Sequence, residues 1–183
     1  MTPRRRRTNL AWLDLETTGL DVESCVVLEI ATIVTDKDLE VLAEGPSRVI
    51  HQPERALRRA EEWAAQQHGR SGLLDDVRAS RVTLDRAEEE TLAFLKDYCV
   101  RGQVPLCGSS ICFDRRFLIR HMPELDRFLS YRNVDVSSVR ELVSRWFPGE
   151  RIVRRRGSSH RALDDVRRSI EELRGYRRVA FRA

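Results

Sequence analysis

The chain has 183 residues, and 33 Lys and Arg stand against 29 Asp and Glu, a net charge of +4. That length suits one domain with a sizeable core, and a composition of 41% hydrophobic and 34% charged residues excludes a disordered or collagen-like chain. No apolar run approaches the ~18 residues of a membrane span. No uninterrupted apolar stretch follows Arg4–Arg7 as a secretory signal requires, so a cytoplasmic location is expected.

The positive charge is unevenly placed. Four Arg fall within residues 1–9, and eleven Arg against four acids within 151–183, which leaves residues 10–150 at −7. Simple attraction to a polyanion therefore does not describe the main body. Of the cations, 31 are Arg and only Lys37 and Lys96 are Lys. Clusters such as Arg154–Arg156 suit phosphate if they face a site. Cys25, Cys99, Cys107 and Cys112 form no CxxC and match no common zinc spacing, so reduced thiols are expected.

In chain order, residues 1–8 read as a disordered Arg-rich arm and 9–183 as one domain. Asn9–Thr17, Cys25–Val34 and Val41–Ile50 are three apolar strand segments separated by turn residues, which predicts an antiparallel meander. After Pro53, the helical spacing of Ala56, Leu57, Ala60, Trp63 and Ala64 predicts one helix, ended by Gly69 and Gly72. Thr83 is the expected N-cap of a long helix stopping near Gly102. Val104–Cys107 reads as a short strand, Phe113–His121 as a helix and Tyr131–Val136 as a last strand. Ser137 or Ser138 is expected to cap a helix through Trp146, and His160 to about Arg178 forms the final helix. Three strands followed by alternating helices and strands predict an α/β fold with a mixed sheet flanked by helices.

The first sharp chemical feature is Asp14 with Glu16. In a strand, residues two apart share a face, so Trp12, Asp14 and Glu16 face one way and Leu13 and Leu15 the other. Two adjacent carboxylates on an apolar strand repel each other and resist burial. A hard divalent cation such as Mg²⁺ or Mn²⁺ relieves both problems; a strand end with two solvated acids is the plainer reading of this pair alone. Asp114 opens a helix, where an acid is also favoured by the helix dipole. His160 and Asp165 lie five residues apart at the start of the last helix, and a His near metal-holding carboxylates suits deprotonation of water. His51 and His121 are read as ordinary surface or packed residues.

The order of these signals carries more weight than any one of them. The segments LDLETTGLD (13–21), GSSICFDRRF (108–117), YRNVDVS (131–137) and SHRALDDVR (159–167) resemble the DEDD exonuclease superfamily in its His-containing DEDDh branch. The YRNVDVS segment is most similar to the oligoribonuclease family, and the likeness spans about residues 9–178. The resemblance implies an RNase H-like fold with a mixed five-stranded sheet flanked by helices. It implies two divalent metal ions, Mg²⁺ or Mn²⁺, held by Asp14, Glu16, Asp114 and Asp165, with His160 as general base. Asp164 is adjacent to the motif position and is not carried over. The implied activity is 3′-to-5′ hydrolysis of very short RNA, dinucleotides above all, to 5′-mononucleotides. The implied substrate contacts are Leu20, Trp63, His68, Ser110 and Ser137, with Tyr131 and Arg132 supplied by the partner of a homodimer. Ser109 departs from the family, which often has Asn there.

Two other readings stay open at this level. A DEDDh-type DNA proofreading or repair exonuclease shares every catalytic residue but needs no Tyr131–Arg132 cap. A non-catalytic nucleic-acid-binding dimer on the same fold would be expected to lose at least one of the four carboxylates or His160.

Overall fold

The computed structural model describes residues 5–148 and 160–181; Arg4, the Arg154–Arg156 cluster and Ser159 lie outside the described residues. Strands β1 (Leu10–Thr17), β2 (Val27–Thr35), β3 (Val41–Val49), β4 (Leu106–Gly108) and β5 (Asn133–Asp135) form one sheet in the order β3-β2-β1-β4-β5. β1 pairs antiparallel with β2, and β2 with β3, which makes the expected meander. β1 pairs parallel with β4, and β4 with β5. The sheet is therefore mixed and five-stranded.

Side-chain alternation along β1 assigns its two faces. Ala11, Leu13 and Leu15 pack into a core with Ile30, Val34 and the helices α4 (Leu84–Tyr98), α5 (Ile111–His121) and α6 (Pro123–Phe128). Trp12 faces the other way, into a core with Ala31, Ile33, Val166, Ile170 and Tyr176, supplied by β2 and by α8 (Ala162–Ala180). Helix α7 (Val136–Trp146) adds Val136 and Val143 to that second core. Because helices cover both faces, β2 is buried along its whole length. Trp12 needs a partner for its indole N–H and donates to Thr35 Oγ1 at 3.0 Å.

Several local expectations are corrected. The segment 56–69 is not one helix. It divides into α1 (Glu54–Leu57) and α2 (Glu62–Arg70), followed by α3 (Leu73–Ala79). The break occurs because the Glu61 N–H leaves the helical ladder and donates to the Thr18 carbonyl at 2.8 Å. That bond draws the chain onto the turn after β1. Helix α7 is capped by Asp135, not by a serine: its carboxylate accepts the Ser137 N–H at 2.8 Å. Tyr131 and Arg132 consequently precede β5, and residue 136 is already helical. Thr83 caps α4 as expected, accepting the Arg86 N–H at 3.2 Å. Helix α6 is an addition that Pro123 at its first turn favours. The four cysteines are free thiols, of which only Cys112 is exposed. Within the Arg-rich arm, Arg5 donates from Nε to the Cys99 carbonyl at 2.8 Å. Among the described residues no helix is long and apolar enough to cross a membrane.

Gly108 ends β4 and allows a close approach to β1. A Cβ there would lie 2.7 Å from the Leu13 carbonyl oxygen and 2.6 Å from Ile111 Cδ1. The first neighbour is backbone and cannot swing aside. Gly108→Ala is therefore expected to destabilise the fold by about 1–3 kcal/mol, the usual cost of overpacking, measured as a lowered midpoint of urea unfolding. An unchanged midpoint would show that β1 and β4 separate freely.

Candidate active site

The site is built where the carboxyl end of β1 meets the starts of α5 and α8. Asp14 and Glu16 lie on the face that α8 covers. Asp114, in the first turn of α5, crosses to β1 and accepts the Leu15 N–H at 2.9 Å. Asp165 lies in the first turn of α8, and His160 stands just ahead of that helix. One oxygen each from Glu16 and Asp165 and one ring nitrogen of His160 fall within 4.8 Å of one another. Residues separated by about 150 positions in the chain thus converge.

Burial and mutual repulsion govern the electrostatics. Burial pushes Asp14 well above the usual carboxylate range, and the charges of Asp114, Glu16, Asp165 and Glu29 add to it. Glu16 is pushed up to about 8, first by burial and then by Asp165, Glu29 and Asp114, with Arg161 opposing. Burial pushes Asp114 up to about 7, against the stabilising bond from Leu15 N–H. Such a cluster suits added positive charge, and a donor set of several carboxylate oxygens with one imidazole is chemically matched to hard divalent cations.

His160 adopts φ 50°, the left-handed region that side-chain-bearing residues seldom occupy. The Gln67 carboxamide of α2 donates to its Nε2. Asp165 accepts from Arg168 one turn further along α8. Glu29, which sequence reasoning did not single out, sits opposite Glu16 on β2 and accepts from Arg161 and from the Ala162 N–H. Nothing in its local pattern distinguishes Glu29 from other strand acids, except that it is an acid in the apolar run Val27–Val34.

The expected substrate positions are differently placed. Leu20 and Trp63 are about half exposed, and a single residue connects them. The Glu61 carboxylate accepts the Leu20 N–H at 2.7 Å and the Trp63 indole N–H at 2.6 Å. Ser110, at φ 56°, and Ser137 touch through their hydroxyls at 2.9 Å, and Asp135 accepts the backbone N–H of both. Ser109 also reaches Ser137, at 3.0 Å, and accepts from Arg140 at 3.3 Å. His68 differs from the others because its side chain is buried. Its Nε2 donates to the Thr17 carbonyl at 2.9 Å, while its Nδ1 lies 3.8 Å from Glu16 and has no hydrogen bond among the described residues. Burial lowers the His68 pKa, partly offset by the Thr17 bond. An orphaned, buried ring nitrogen beside a carboxylate fits a site that expects a further group.

Tyr131 and Arg132 lie at the sheet edge, with Tyr131 79% exposed and the Arg132 guanidinium 4.6 Å over its ring. Arg115, next to Asp114, holds this segment. It donates to the Ser130 carbonyl at 2.7 Å, to Asn133 at 2.8 Å and to Asp126 at 3.0 Å.

Comparison with known proteins shows the family and the fold. The family described as Exonuclease (RNase_T) matches residues 11–173. Oligoribonuclease of Pseudomonas paraeruginosa is 54% identical over 169 residues, covering 92% of this chain and 94% of its own. Oligoribonuclease of Pseudomonas fluorescens (strain Pf0-1) is 53% identical over 170 residues, with 93% and 94% covered. Among solved structures, the zinc-bound E. coli ExoI–ssDNA complex superposes with a TM-score of 0.74 at 15% identity, over 97% of this chain. Exonuclease I from Methylocaldum szegediense gives 0.73 at 18% identity, over 95% of it. The chain spans only 42% and 41% of those two proteins, so they speak for the RNase H-like fold alone. With the family model matching residues 11–173 and a 54% identical relative matched over 92% of this chain and 94% of its own, this chain belongs to the exonuclease family, within its oligoribonuclease branch.

Proposed function

We propose that this chain is a metal-dependent 3′-to-5′ exoribonuclease that hydrolyses very short oligoribonucleotides, dinucleotides above all, to 5′-mononucleotides. The observation that carries the reading is the convergence of Glu16, Asp165 and His160 beside Asp14 and Asp114, in a cluster whose charge calls for cations. Asp14, Glu16, Asp114 and Asp165 would hold two divalent ions, Mg²⁺ or Mn²⁺. Bound there, such ions supply charge compensation for the scissile phosphodiester and a nucleophile from water at neutral pH. His160 removes the proton from the attacking water, with Gln67 orienting its ring. Burial of Asp14 and Asp114 holds the carboxylates in a low-dielectric setting, where their attraction for cations is strong.

The surroundings support the short substrate length. Leu20 and Trp63, joined through Glu61, offer an apolar surface against the bases at the 3′ end. Ser110 and Ser137 offer hydroxyls to the backbone, and His68 fixes the turn beneath Leu20. Tyr131 and Arg132, exposed and stacked, reach the partner's site in a homodimer, where a ring for stacking and a cation for phosphate close the 5′ end. Favouring this over a long-DNA exonuclease is the identity to oligoribonucleases, 54% over 92% of the chain.

The direct test is a length series of 5′-labelled RNAs, from two to seven nucleotides, with Mn²⁺ and with chelator. The dinucleotide is expected to be consumed fastest, and chelation to abolish turnover. A flat length profile, or faster release from long single-stranded DNA, would remove the short-RNA reading. Dimer exchange of the capping residues is tested by mixing Tyr131→Ala with Asp165→Ala protein. Each variant alone is expected to be severely impaired, while the mixture recovers activity, because a mixed dimer holds one site with intact carboxylates and an intact partner tyrosine. No recovery would place Tyr131 outside the partner's site.

The raised carboxylate pKa values also set the pH dependence of stability without metal. Glu16 rises from 4.5 to about 8, so between those values the folded chain keeps a proton that the unfolded chain has released. Stability contributed this way falls as pH rises through that window. The unfolding temperature of chelated protein is expected to drop between pH 5 and 8, by about 2–4 °C for each kcal/mol lost. Mg²⁺ or Mn²⁺ is expected to remove most of that drop, as read by calorimetry. A chelated protein that gains stability over the same range would contradict it.

A further inference from the structure

Glu29 is 2% exposed, yet it carries an ionisable carboxylate near the start of a strand whose every residue is buried. A charge so placed needs full pairing. Its oxygens receive Arg161 Nε at 3.2 Å each, Arg161 Nη2 at 3.1 Å and the backbone N–H of Ala162 at 3.0 Å. Arg161 extends the link through Nη1 to Asp76 of α3 at 2.8 Å. Arg161 occupies the N-cap position of α8 but provides no side-chain cap. The start of the helix is therefore held by a residue from another element, 133 positions earlier. The residue immediately before this clamp is His160, in its left-handed conformation, and Asp165 follows one turn later. In the sheet, Glu29 pairs directly with Glu16.

From this geometry we infer that Glu29 is the positioning residue of the site: by gripping Arg161 and the Ala162 N–H, it sets His160 and Asp165 against Glu16. Glu29 touches no substrate in this scheme. A left-handed, side-chain-bearing residue persists only where its neighbours over-determine it, and here Arg161 fixes one side of His160 while Gln67 holds its ring. The inference rests on the role proposed for His160. A pair serving stability alone would lower the unfolding temperature and leave the folded site intact.

Glu29→Gln keeps the size and one acceptor for Ala162 but loses the charge that binds the fork of Arg161. In the full-length protein it is expected to lower kcat on a ribodinucleotide about 10²-fold, the scale of a site displaced by about an ångström, with KM little changed. Arg161→Ala is expected to do the same, and the double variant to fall no lower than the poorer single one, because both break one contact. In metal-free protein, the His160 ring resonance, assigned with His160→Asn, is expected to shift in Glu29→Gln while that of His51 stays. This readout stands even if the wild type hydrolyses no short RNA, so failure of the functional reading is distinguishable from failure of this one. Should Glu29→Gln not fold, Arg161→Lys gives the same readouts at a side chain that is one-third exposed. Unchanged kcat and an unmoved His160 resonance, with only a lower unfolding temperature, would overturn the inference.

Discussion

Asp14 and Glu16 share one face of a strand, and the strand lies at the middle of the sheet, so their repulsion cannot be relieved by turning into solvent. The rest of the site answers that constraint. Asp114 and Asp165 arrive from two helices and add further negative charge, which protons or cations must offset. Burial is the largest single cause of the raised carboxylate pKa values, and the same low-dielectric setting strengthens the attraction for positive charge. The raised carboxylate pKa values and the attraction for cations thus have one cause.

Around this centre, charged side chains tie loops to the framework through backbone groups. Glu61 holds the turn after β1 to α2, and in doing so it breaks what local pattern would make a single helix. Asp135 caps α7 and also receives the Ser110 N–H, so one carboxylate places both serines. Arg115 anchors the segment carrying Tyr131 and Arg132, immediately beside Asp114. Charge-assisted bonds of this kind are directional and roughly twice as strong as neutral ones, which suits them to loops lacking a core of their own. The dinucleotide-sized enclosure proposed for this chain depends on these ties more than on apolar packing.

The net charge of +4 proves a poor guide to that chemistry. It equals the contribution of Arg4–Arg7 alone, and the remaining residues balance. Among the described arginines, many are spent on internal pairing: Arg140 with Glu172, Arg161 with Glu29, Arg115 with Asp126 and Arg167 with Glu44. Each of these pairs offsets an arginine's charge within the described part of the molecule.

Amino-acid order by itself determined the three-strand opening, the shared face of Asp14 and Glu16, the helical starts at Asp114 and Asp165, and the chemistry those residue types imply. These follow from periodicities of two and 3.6 residues and from capping, which are local properties of the backbone. The tertiary structure alone decided that α1 and α2 are separate, that Asp135 and not a serine caps α7, that His68 is buried against Glu16, and that Glu29 grips the start of α8. Except for the cap itself, which Asp135 makes two residues away while also receiving the Ser110 N–H from another element, each of these is a hydrogen bond or charge contact between groups distant in the chain. Its existence depends on which faces the packed cores bring together, and no repeat or spacing within one segment encodes that.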